Sequence, residues 1–242
     1  MSTYKTNTLS VALLPIIFSL GLLHSLLASA GETEYRVIPY IWTAGIDAKM
    51  GPPIRPAEVD VSFSDYAGFV DAGGAFVFEA LGDKWSFTGN FLAVKLSEDI
   101  DRPRTVLDFE NKQVVAEVFA GYRPEGWKEA RIVGGVRYID MDTKILFSDG
   151  FRVDIGADWY DPFVGLEWRP RRGKWEYIVE GDIGGGNDAD FAWQALLGVN
   201  YHFSDRYAVG GGYRYLGIDF EDRTFVFDGS LEGIQIGFMF KF

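Results

Sequence analysis

The chain has 242 residues, no cysteine, 16% aromatic residues and a formal net charge of −12. Without cysteine there is no disulfide framework and no Cys-based zinc or iron–sulfur site, and this many aromatics exclude a disordered chain. Glycine, at 29 of 242 residues, is about 12% of the chain against a usual ~7%, and a mean hydropathy near zero excludes a helical membrane protein.

Residues 1–30 read as a secretory signal. Lys5 supplies the positive region, Val11 to Leu27 the apolar run, and Ala28-Ser29-Ala30 a small-residue cleavage site. With no cysteine after the run, a lipoprotein anchor is excluded. Residues 31–242 form one domain with 22 basic and 35 acidic residues. That balance disfavours nucleic acid as a partner, since phosphate contacts need a basic face.

Alternation with period two dominates this domain and predicts ten strands, eight being the smaller alternative. In chain order they cover 36–50, 73–81, 85–97, 112–123, 129–142, 157–169, 175–184, 190–203, 207–220 and 224–242. A turn of helix is expected around 62–68. Short turns at 82–84, 124–128, 170–174 and 204–206 alternate with links at 51–72, 98–111, 143–156, 185–189 and 221–223, the first three of them long. That layout predicts an all-β, closed, up-and-down antiparallel transmembrane barrel, with both termini on the short-turn, periplasmic side.

The pattern is clearest at the C-terminus. Ile234, Ile236, Phe238, Phe240 and Phe242 share one parity, and Gly233, Gln235, Gly237, Met239 and Lys241 the other. An internal repeat joins Gly134-Gly135-Val136-Arg137-Tyr138-Ile139-Asp140-Met141-Asp142 to Gly211-Gly212-Tyr213-Arg214-Tyr215-Leu216-Gly217-Ile218-Asp219, with a shorter echo in Gly121-Tyr122-Arg123. It marks duplicated hairpins within one domain.

Alternation alone also fits a soluble lipocalin-like barrel. Three features favour lipid: the aromatic C-terminus, a polar face crowded with glycine and alanine, and aromatics where strands meet turns, such as Trp85, Tyr122, Trp168, Trp175 and Tyr201. Gly181-Asp182-Ile183-Gly184-Gly185, Trp193-Gln194-Ala195, the run 198–206, and Gly212-Tyr213-Arg214-Tyr215-Leu216 resemble a family of poorly characterised small outer-membrane β-barrel proteins of Gram-negative bacteria, broadly akin to OmpA-like barrels. Pro39-Tyr40-Ile41-Trp42 and Ser62-Phe63-Ser64-Asp65 are similar to it too. The resemblance implies the cell outer membrane as location. It implies Phe238, Phe240 and Phe242 as the signal read by the barrel-assembly machinery, with Phe242 as the key residue. It brings no catalytic residues and no cofactor.

With the apolar parity facing lipid, the inward set becomes a polar network of Glu117, Arg123, Arg137, Glu167, Arg169, Glu180 and Arg214, joined by residues such as Asn90, Arg131, Asp161, Glu176, Asp182, Gln194, Asn200, His202, Gln235 and Lys241. Paired charges would fill a lumen this narrow; the alternative is a narrow polar pore. Barrel enzymes commonly use histidine near the outer rim. Here His24 lies in the signal and His202 beside a periplasmic turn, so the expectation is a non-catalytic structural or surface-interaction protein. A rim site built without histidine is the remaining enzymatic reading. Asp182, Asn187, Asp188 and Asp190 around a glycine turn are oxygen ligands of the kind calcium takes, but in a single copy, and no metal site is expected from them. Outer-membrane lipid and lipopolysaccharide are the expected partners. Oligomeric state is not readable.

Overall fold

In a computed structural model, the structure describes residues 33–99, 106–147, 152–186 and 189–242. The expected signal, 1–30, lies outside the described residues, as do Asn187 and Asp188.

Ten long strands form the wall: β1 Glu34–Gly51, β2 Val70–Leu81, β3 Trp85–Asp99, β4 Val106–Tyr122, β5 Ala130–Phe147, β6 Arg152–Trp168, β7 Trp175–Gly184, β8 Phe191–His202, β9 Tyr207–Glu221 and β10 Val226–Lys241. Each pairs antiparallel with the next, and β10 returns to β1 from Arg36↔Lys241 to Gly51↔Val226, closing the barrel. Closure removes the open sheet edges that lipid cannot solvate. Two short strands sit outside this ring: Ala57–Val61 on the loop end of β1, and Arg171–Arg172 on the base of β7.

The strands β3 to β6 run further than the apolar alternation suggests. Pairing between β3 and β4 continues to Asp99↔Asp108, and between β5 and β6 to Leu146↔Arg152. Beyond the lipid both faces of a hairpin can meet water, so the ladder continues without an apolar side to reveal it. The expected helical turn is present as Phe63–Tyr66, closed by a reciprocal Ser62–Asp65 capping box, followed by a 3₁₀ turn at Ala67–Phe69.

Val118, Leu197 and Ile236 are among many apolar side chains exposed on the outer face. Trp85 against Tyr122 (4.9 Å between ring centroids) and Trp175 against Tyr201 (4.8 Å) ring the short-turn end. Trp193 stacked on Tyr215 (4.5 Å) and the cross-strand pair Tyr138–Tyr160 form a second girdle. Tyr207 and Tyr215 mark the two girdles on β9, about 26 Å apart along the strand. An apolar band between two aromatic girdles is the outer surface of a transmembrane barrel.

Candidate functional site

The inner face divides into two layers. From the short-turn end upward the first is ionic. Arg36 on β1 donates to Glu176 (Nη1–Oε1, 3.0 Å) and lies 3.6 Å from Glu79. His202 shares Glu176 at 2.9 Å, and Asn200 donates to the same carboxylate at 3.3 Å. Arg169 joins Glu79 (2.5 Å) to Glu167 (2.9 Å), with Glu180 at 3.9 Å. Arg131 is the second cation on Glu167, at 3.3 Å.

The internal repeat acquires its meaning one level higher. Arg137 and Arg214, equivalent in the two copies, converge on one carboxylate. Arg137 holds Glu117 through Nε at 2.6 Å and Asp182 through Nη2 at 2.8 Å. Arg214 reaches Glu117 at 3.2 Å and Gln194 at 2.8 Å. Asn90 completes Glu117 at 2.7 Å, and the Tyr40 hydroxyl donates to Asn90 at 2.8 Å. Glu117, Arg137 and Arg214 are almost fully buried, so each charge depends on its partners for the solvation that water would have supplied. The two guanidiniums also lie over aromatic faces: Arg137 over Phe163 (5.0 Å) and Arg214 over Trp42 (4.7 Å). Gly135 lets β5 lie close against β4, because a Cβ there would run into the Val118 carbonyl and the Phe119 Cβ.

The second layer, toward the loops, is apolar. Trp159 stacks on Phe220 at 4.1 Å, with the rings within 16° of parallel. Ile46, Ile139, Met141, Leu216, Ile218, Phe225, Phe227 and Leu231 are buried in one cluster with them. This corrects the expectation of an inner face polar along its whole length. In this half, apolar residues stand on both parities, one set against lipid and one against the plug.

The expected residues are therefore placed as follows. Glu117, Arg137, Glu167, Arg169, Glu180 and Arg214 face one another in the lumen. Arg123 does not join them: it follows the last residue of β4, and its guanidinium donates to the turn carbonyls of Asp83 and Lys128 (3.3 Å for the latter). The inward parity holds there, but the lumen has ended. Asp182 is occupied by Arg137 and Gln194 inside the barrel, whereas Asp190 is exposed on the loop, its amide donating to the Asp219 carbonyl. The two acids do not form one site, and among the described residues no group of three metal-ligating side chains converges. Sequence reasoning missed Arg36 and Glu79. Glu79 follows Phe76-Val77-Phe78, and Arg36 opens a strand whose other inward residues include Tyr40 and Trp42, so neither stands in a visibly polar face.

A cavity of about 90 Å³ remains in the ionic layer. Gly198, Gly210, Gly212 and Gly237 line it, as do Glu79, Arg169 and Gln235. Glu79 Oε2, Arg169 Nε and Gln235 Oε1 are buried without a hydrogen-bond partner. A polar chamber of this size suits a few water molecules.

The barrel superposes on the outer membrane protease OmpT of Escherichia coli with a TM-score of 0.51 at 10% identity, over 87% of this chain and 97% of that one. Its fold is that of an outer-membrane β-barrel. The translocator domain of the autotransporter NalP from Neisseria meningitidis also aligns, over 94% of this chain and 95% of its own, with a TM-score of 0.45 and 11% identity. No family model matches the chain, and no curated protein matches its sequence.

Proposed function

We propose that the chain is an integral, non-catalytic protein of the outer membrane, exported through residues 1–30, serving structure or surface interaction with a lumen closed by its own side chains. The observation that carries this reading is the pair of seals in series: a buried ionic layer, then the Trp159–Phe220 plug. Either layer alone would obstruct a barrel of ten strands. Its partners are then outer-membrane lipid and lipopolysaccharide around the apolar band, and the assembly machinery at Phe238, Phe240 and Phe242. The likeness to a protease speaks for the fold alone at 10% identity. His202, bonded to Glu176 at the short-turn end, is remote from any loop-side reaction.

Folded in detergent, the protein migrates differently on a gel before and after boiling, and identical mobility would contradict a closed barrel. In planar bilayers it gives no reproducible conductance steps. The second reading, a narrow passive channel for small solutes, is favoured by the glycine-lined chamber, and steady unitary conductance in the unmodified protein would establish it in place of the first.

A further inference from the structure

The loop-side end of the outer wall carries a cleft of about 660 Å³. Register places its lining in two adjacent rows that run across the strands. Trp193, Gly217, Ser230, Asp47 and Asp60 stand abreast, from β8 to the short strand Ala57–Val61. One step nearer the loops, Asp219, Asp228, Lys49 and Glu58 follow in the same order. The lower row begins at Trp193 of the loop-side girdle, so the cleft opens where the wall leaves the hydrocarbon.

Small residues hollow it out. Gly217 lies beneath the Trp193 indole, since a Cβ there would meet Trp193 Nε1 at 2.6 Å. Beside Gly217, Ser230 is only 6% exposed. It shares the parity of the exposed Asp228, which turns its side chain to the cleft and away from the plug. Among the described residues the Ser230 hydroxyl has no hydrogen-bond partner. A hydroxyl so placed is costly until something in the cleft bonds to it.

The walls are acidic. Asp47, Glu58, Asp60, Asp219 and Asp228 line the cleft against one ammonium, that of Lys49. Asp219 stands directly opposite Asp228, and Asp47 directly opposite Asp60. Like charges in such positions repel. Among the described residues none of these four aspartates has an ion pair, and Lys49, between Asp228 and Glu58 in register, is paired with neither. Burial and the carboxylates of Asp228 and Asp190 raise the Asp219 carboxyl, as an uncompensated negative field requires.

Spacing selects the kind of cation. Among the described residues no three metal-ligating side chains converge. The two aspartate pairs lie two strands apart and are offset by two residues along the strand, which separates them by roughly 12 Å. Ammonium groups spaced along one flexible chain match that separation, whereas a single compact ion reaches one pair only. The Trp193–Tyr215 stack, 4.5 Å between centroids, adds an aromatic face beside the Asp219 end.

We propose that this cleft binds a linear polyamine, its terminal ammoniums on the Asp219–Asp228 and Asp47–Asp60 pairs and an inner ammonium donating to Ser230. The cleft is on the outer wall, so the site does not depend on whether the lumen conducts.

The probe is radiolabelled spermidine, equilibrated by dialysis with the folded, unmodified protein in a zwitterionic detergent at low salt. One saturable site is expected. Putrescine, too short to join the two pairs, competes about tenfold more weakly or worse. Asp228→Asn and Asp47→Asn each weaken spermidine binding about tenfold, because each disables one end, and Ser230→Ala weakens it by a smaller factor. Asp140→Asn removes the same charge from another opposed pair, Asp140 and Asp158, outside the cleft, and leaves binding unchanged. Equal weakening by Asp140→Asn would overturn the proposal in favour of diffuse attraction to an acidic surface. Displacement of spermidine by calcium at lower concentration than by putrescine would overturn it in favour of a divalent ion. Absence of saturable binding, or putrescine competing as well as spermidine itself, would overturn it outright. Putrescine and calcium competition on the unmodified protein decide between these outcomes should a variant fail the gel-mobility test.

Discussion

Below Tyr40 the barrel interior is held by guanidinium–carboxylate pairs; above it, by stacked rings and aliphatic side chains. The two halves share a wall, a strand register and a lipid face, yet they respond to damage in different ways. A buried ionic layer is conditional: each charge is tolerable only while its partner remains, and removing both can cost little. An apolar plug is unconditional: what is removed leaves a void, and no second deletion repairs it. The ionic layer also fixes geometry through directional bonds, which the converging Arg137 and Arg214 illustrate.

The largest expected effects fall one in each half. Trp159→Ala in the plug costs about 3–5 kcal/mol of unfolding free energy, read from urea titration of the protein refolded into lipid. Arg137→Ala costs a similar ~3–5 kcal/mol, because Glu117 and Asp182 lose a buried cation. The comparison breaks or holds on rescue. Adding Asp182→Asn to an Arg137→Met background should recover much of the loss, because Glu117 keeps Arg214 as its cation, whereas no partner substitution at Phe220 should recover Trp159→Ala. Equal rescue in both halves would mean the layers are not physically distinct.

Next in size is the lipid face that both halves share. Val199→Arg, with the side chain in the apolar band, should cost ~2–4 kcal/mol, measured in the same titration. If Asn200→Arg proved the more sensitive to bilayer thickness, the inward and outward parities would be exchanged.

The smallest effect lies outside the membrane. Asp219 and Asp228 stand opposite each other on the outer face above the loop-side girdle. Burial and the neighbouring carboxylates of Asp228 and Asp190 raise the Asp219 carboxyl above its usual range. An acid whose folded-state pKa is raised binds its proton more readily when folded. Stability therefore increases as pH falls through that raised value, and the gain is absent at neutral pH. Asp219→Asn should stabilise by about 0.2–1 kcal/mol at pH 7 and flatten this part of the pH profile.

Much of this architecture was legible residue by residue. The parity of β8 and β10, the ten strands, and the inward placement of Glu117, Arg137, Arg169 and Arg214 follow from period-two alternation. The repeat pointed to Arg137 and Arg214 as equivalents without revealing that they share Glu117. Arg123 was misplaced because parity says which way a side chain faces but not where the lumen stops. Glu79 and Arg36 were missed because apolar neighbours hid them.

Sequence by itself determined strand direction, the face each residue takes and the lipid-facing band, because alternation is a local property of an extended chain. Only the tertiary structure decided which charges meet and where the polar interior gives way to a plug. Arg36 and Glu176 are 140 residues apart, and Arg214 and Glu117 are 97 apart. Contacts at such separations are set by barrel closure and register, and no local pattern encodes them.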